Sequence, residues 1–179
     1  MAILRILEIP DPVLRQLSTP VDAVDDGLRA LIADMFETMY DAPGIGLAAV
    51  QVGVLKRLLV MDLHEPAEGG GEPVLEPRVF INPEILTRSD EEVPYTEGCL
   101  SVPDQYAEVL RPATIHARWL DETGARHEEE LSGLLAVCLQ HEIDHLDGIL
   151  FIDHISRLKR EILLKKLAKM RKERGAKAA

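Results

Sequence analysis

From Leu131 to Leu146 the chain reads LSGLLAVCLQHEIDHL. Leu134, Leu135, Val137, Cys138 and Leu139 make a helix here apolar on most sides, so other elements must cover it. Gly148 stands just past its expected end, where helices commonly stop. The same helix carries Gln140, His141, Glu142, Asp144 and His145. Left unpaired in an interior, such groups cost about 1–3 kcal/mol each. The chain is therefore constrained twice. This segment has to sit in the core, and the core has to supply partners for five polar side chains. A metal ion with its surrounding hydrogen bonds satisfies them together. Two buried histidines that are simply hydrogen-bonded are the plainer alternative.

Histidines four apart lie one turn apart on one helix face, so both imidazoles can reach one ion. Glu142 follows the first histidine, as in HExxH hydrolases, beside a water whose pKa a divalent ion lowers toward 7. A carboxylate there can take that proton and pass it to a leaving amine. A catalytic site also wants a third protein ligand. The extended zinc-protease form HExxHxxGxxH begins to match, since Gly148 is in place, but position 151 is Phe151 and His154 comes three residues late. Cys138 lies on the same helix as the histidines, roughly 10 Å by helix rise from His145. It reads better as a small apolar wall of the same cavity. Cys99, within Glu97–Pro103 (EGCLSVP), approaches from outside the helix. Cys99, His141 and His145 are thus the expected ligands, and a thiolate among them suits zinc or ferrous iron. A Cys99–Cys138 disulfide is the less expected use in a reducing compartment.

The whole chain of 179 residues, 46% hydrophobic, fits one domain. Spacings of three and four (Leu28, Leu31, Ile32, Met35, Phe36, Met39) predict a helix over Asp25–Asp41, capped by Asp25 or Asp26. A short helical turn is expected over Asp11–Leu17. Strands are expected at 58–63, 79–81, 85–88, 92–95, 106–110, 114–120 and 126–130, with a turn at Asn82-Pro83 and an exposed Gly-rich loop over His64–Pro77. A last helix, from Ser156 to about Arg174, carries Leu158, Ile162, Leu163 and Leu167 as its apolar stripe. Helix, several strands, then helices favour α+β with antiparallel sheet over βαβ repeats. No apolar run approaches the roughly 20 residues needed to cross a bilayer, and Pro10 and Pro12 interrupt the start, so a cytoplasmic location is expected. The net charge is −11; from Arg157 onward ten Lys/Arg face two acids, +8, which leaves −19 on the body. An acidic body does not suit free-standing DNA binding. Its basic tail suits attachment to something anionic, or is a solvated helix end. The segment GIGLAAVQVG (Gly44–Gly53) lacks the Lys of a phosphate loop. Its small residues form either a tight wall with the Gln51 amide aimed at an oxyanion, or a structural turn with a surface glutamine.

Taken together, GIGLAAVQ, EGCLS and QHEIDH resemble, in order, the three motifs of bacterial-type peptide deformylases, and the likeness spans Ile3 to Leu164. The resemblance implies antiparallel or mixed sheets packed around the HExxH helix, with a C-terminal helix. It implies a catalytic domain over 1–164 and a basic helical extension over 165–179. Cys99, His141 and His145 would bind Fe2+, with Zn2+, Ni2+ or Co2+ able to replace it. Glu142 would be general base and acid, with Gln51 and the Leu100 N–H as oxyanion donors. Ile45, Gly46, Glu97, Leu134, Val137 and Cys138 would form the substrate-binding set, with Glu97 also paired with Arg111 in support of the site. The implied reaction removes the formyl group from N-formylmethionyl nascent peptides, releasing formate, and the basic helix would contact the ribosome. The relatively long loop and Tyr106, where some members carry Arg, bear on the outer peptide subsites. A zinc endopeptidase and a non-catalytic metal-stabilised binding module are the alternative readings.

Overall fold

The computed structural model describes residues 2–64 and 74–177, with side chains through 173. Residues 65–73, within the expected Gly-rich loop, lie outside the described residues. A 3₁₀ turn at Pro12–Arg15 takes the place of the expected first helical turn. Helix α1 spans Asp26–Asp41, and the Asp25 carboxylate caps it by accepting the Leu28 N–H at 2.8 Å. Strands β1 (Gly46–Ala48), β2 (Leu58–Met61), β3 (Arg78–Arg88), β4 (Glu92–Cys99), β5 (Val102–Pro112), β6 (Thr114–Leu120) and β7 (Arg126–Ser132) follow. Then come α2 (Gly133–Leu146) and α3 (Arg157–Lys177). β1-β2-β3-β6-β7 form one sheet in that order, and β4-β5 form a separate hairpin. Every strand pairing is antiparallel.

Strand β2 reads LLVM, and both of its faces are buried. Leu58 and Val60 turn toward Ile32, Met35 and Met39 of α1. Leu59 and Met61 turn toward Leu139, Ile143 and Leu146 of α2. The alternation of side chains along a strand thus puts one helix on each side of the sheet. The β4-β5 hairpin packs separately, its Val102 and Val109 joining Leu14, Phe151, Leu163 and Leu167.

Two expectations are corrected. Asn82-Pro83 does not end a strand, because β3 continues through it with a register shift between Ile81 and Glu84. Asn82 adopts φ 51 and its amide binds both backbone groups of Val21, at 2.8 and 2.9 Å. The last β2 partner is Leu58 opposite Ile81, so Pro83 falls where one edge has no β2 neighbour and its missing N–H costs nothing. On α3, Leu163 and Leu167 are buried, but Leu158 is 68% and Ile162 59% exposed. The two pairs share a four-residue spacing and lie about 140° apart around the helix, so only one of them meets the hairpin. Contacts Gln105–Met170, Arg160–Asp153 and Arg171–Glu8 fix that choice.

Candidate metal centre

The hairpin brings Cys99 to α2. A register shift between Gly98 and Cys99 ends the regular β4-β5 pairing and leaves Cys99 opposite Val102. Cys99 Sγ lies 3.2 Å from His145 Nε2. The ligand atoms of Cys99, His141 and His145 all lie within 4.8 Å of one another, the one such cluster among the described residues. Both cysteines are free, which removes the disulfide reading. Cys138 is buried on the cleft wall, outside the cluster, and burial pushes its thiol well up.

Charge around the cluster favours a cation. Glu97 Oε2 lies 2.8 Å from His141 Nδ1, which leaves Nε2 of that ring as the free donor. Arg111 grips the Glu97 carboxylate with two N–H groups at 2.7 and 3.0 Å. Burial alone would raise Glu97, but Arg111 and His141 bring it down to about 2. For His141, burial alone would lower the pKa, yet Cys99 and Glu97 outweigh it and hold the ring well above its ordinary value. The His145 ring is pushed down by burial and by the neighbouring positive charges of His141, Arg111 and Arg15. One sulfur and two imidazoles whose ligand atoms cluster this closely fit a divalent ion such as zinc or ferrous iron.

The cluster opens on a cleft of about 530 Å³, whose walls include Ile45, Gly46, Leu100, Leu134, Val137, Cys138 and Glu142. Glu142 is buried, its Oε2 has no hydrogen-bond partner, and burial pushes its carboxyl up to about 7 against the pull of His141. Gln51 is not a surface residue; it is 1% exposed. Its Oε1 accepts the Ala48 N–H at 2.8 Å, so Nε2 is turned to Ser101 Oγ at 3.1 Å and Cys99 Sγ at 3.6 Å. All the residues expected at the site therefore meet at the cluster or in the cleft beside it. Three partners were not singled out from the sequence. Ser101, fully buried, donates its N–H to Cys99 Sγ at 3.4 Å, and Asp144 and His154 lie behind Arg111. Ser101 stands inside a quoted motif with nothing in its spacing to set it apart from a surface polar residue, whereas Asp144 reads as a polar group on the buried helix whose partner, Arg111, the sequence does not give.

The family model described as Polypeptide deformylase matches residues 3–161. A peptide deformylase of Rhizorhabdus wittichii is 72% identical over 98% of this chain and 99% of the relative. One from Zymomonas mobilis is 66% identical over 97% and 98%. The crystal structure of a peptide deformylase from Legionella pneumophila superposes with a TM-score of 0.87 at 45% identity, covering 97% of this chain and 98% of that one. A peptide deformylase from Ehrlichia chaffeensis in complex with actinonin gives 0.87 at 45%, covering 95% and 98%. With likeness of this extent over the whole chain and a Cys/His/His cluster at its centre, the endopeptidase and binding-module readings give way: the chain belongs to the polypeptide deformylase family and is a hydrolase of that kind.

Proposed function

We propose that the cleft holds the formyl group of an N-formylmethionyl peptide beside an Fe2+ ion bound by Cys99, His141 and His145. When bound, that ion supplies Lewis-acid chemistry to a water and to the formyl carbonyl. The observation that carries the reading is the Glu142 carboxylate, buried without a partner on Oε2 and facing the cleft beside the ligand cluster. Glu142 takes the proton of the attacking water and delivers it to the departing amine nitrogen. The C–N bond breaks, and formate and a free amino terminus leave. The Gln51 Nε2, held by the Ala48 N–H on its other end, and the Leu100 N–H donate to the oxyanion that develops. Ile45, Leu134, Val137 and Cys138 provide apolar surface for the methionine side chain, with Gly46 keeping the wall thin. Glu97 fixes which His141 nitrogen is free.

Glu142→Gln should lower turnover of formyl-Met-Ala-Ser by about 10²-fold or more while metal content stays at the wild-type level. Full turnover at equal metal content would refute the assignment. Metal analysis of anaerobically purified protein tests the choice of iron.

No described helix is long and apolar enough to cross a membrane, and substrates of this kind arise on cytoplasmic ribosomes, where we place the enzyme. Lys165, Lys166 and Lys169 point outward from α3, while Leu167 is buried against the body. That basic face supports attachment of the 165–179 segment to the anionic ribosome surface. Reversing all three charges to Glu should weaken co-sedimentation with ribosomes and spare turnover of a short formyl peptide. Unchanged co-sedimentation would end that idea.

A further inference from the structure

A chain of charged links leads from His141 to the surface. Beyond the Glu97–Arg111 pair, Arg111 Nη1 donates to Asp144 Oδ2 at 2.6 Å. His154 Nε2 lies 2.7 Å from the same oxygen. Glu97 and Arg111 are buried, the Asp144 side chain is 19% exposed and that of His154 35%. His154 follows the 3₁₀ turn Phe151–Asp153, and its N–H donates to the Phe151 carbonyl at 3.1 Å, so its ring hangs from a fixed backbone.

Two features exceed what a clamp between α2 and the hairpin requires. Glu97 of β4 already ties the hairpin to His141 of α2, yet Arg111 of β5 adds a second link to that helix through Asp144. The Glu97–Arg111–Asp144 trio then carries one negative charge in excess, directly behind His141. In addition, Asp144 stands in the last turn of α2, the end where the helix dipole disfavours an acid. A carboxylate placed against the dipole and shared by a buried arginine and a half-exposed histidine is arranged for its effect along the chain. Hydrogen-bonded networks in a low-dielectric interior strengthen one another, and a carboxylate on the far nitrogen of a ligating imidazole raises its donor strength.

We propose that Asp144 and His154 are positioning residues for the ion. His154 fixes the Asp144 carboxylate, Asp144 fixes Arg111, and Arg111 acts through Glu97 to set the orientation and donor strength of the His141 ring. This rests on the ligand set given under the proposed function.

The test uses the full chain loaded with Co2+, with affinity read by chelator competition and the ligand field read from visible absorption. Asp144→Asn should weaken Co2+ binding about tenfold or more and shift the visible bands, and His154→Ala should weaken it about threefold, one link further out. His154→Gln, whose amide nitrogen reaches the same carboxylate oxygen, should return affinity to within about twofold of wild type. Wild-type affinity and bands in Asp144→Asn and His154→Ala, or a loss of melting temperature alone, overturn the proposal. So does His154→Gln behaving as His154→Ala. If Asp144→Asn does not fold, the surface variant His154→Ala decides. Cys99→Ala separates the two levels: undiminished Co2+ uptake there refutes the ligand set itself, whereas lost uptake with unaffected His154→Ala refutes only the positioning chain.

Discussion

Gly46 borders the Glu142 carboxylate so closely that a Cβ would meet Oε1 at 2.4 Å. Gly46→Ala must therefore displace the very oxygens that face the cleft. A shift of about 1 Å in such a group costs about 10²-fold in rate. Turnover of the formyl peptide should fall by that order while circular dichroism stays native; undiminished turnover would mean the carboxylate adapts. Gly148 has a different reason. It takes φ +72, and a Cβ there would meet the Arg15 carbonyl oxygen at 2.6 Å. Its place in a protease-like HExxHxxG string thus reflects a helix end packed on the first 3₁₀ turn. Asp153 accepts from Arg15, from the Leu150 N–H at 2.8 Å and from Arg160 at 3.1 Å. Burial alone would raise its pKa, but these partners bring it below the ordinary value. A folded pKa below the unfolded one, about 3.9, means stability that is present above pH 4 and lost as pH falls through the folded value. Arg15→Gln should raise the Asp153 pKa, followed by carboxylate NMR, and shrink the acid-range loss of stability; no change in either would contradict this.

Secondary elements were legible in proportion to how local their causes are. Helix α1 carries its own cap and its own apolar face; it begins one residue after the expected Asp25, and of the two expected caps Asp25 is the one used. Asp25→Ala should remove the Leu28 N–H partner and cost about 1 kcal/mol. That would lower the urea midpoint without changing the slope of the transition; an unmoved midpoint would mean water replaces the cap without loss. Helix α2 was legible because nearly every side is apolar. Strand β3 was not, since Asn82 reads as a turn and only the Val21 backbone, far away in the chain, turns it into a bulge. The face of α3 was half legible. Leu158 and Ile162 have the same spacing as Leu163 and Leu167, and only the packed hairpin breaks the tie.

At the scale of the whole molecule, the ion would join α2, which packs on the sheet, to the end of β4 in a separate hairpin. Binding to the native state alone stabilises it, by about 4 kcal/mol at a thousandfold excess over Kd. Adding divalent ion to chelator-treated protein should therefore raise the melting temperature by several degrees, and Cys99→Ala should abolish that rise. A rise that survives the substitution would place the stabilising ion elsewhere. From the sequence alone came the fold class, the buried helix and the two histidine ligands, because each rests on short-range periodicity or on residue chemistry repeated within one turn, while Cys99 followed from being the cysteine outside that helix. Tertiary structure alone decided that Gly46 makes room for Glu142 and that Asp144 and His154 extend the network behind His141. Those relations join residues up to about a hundred positions apart, and their energies depend on burial, which no local pattern records.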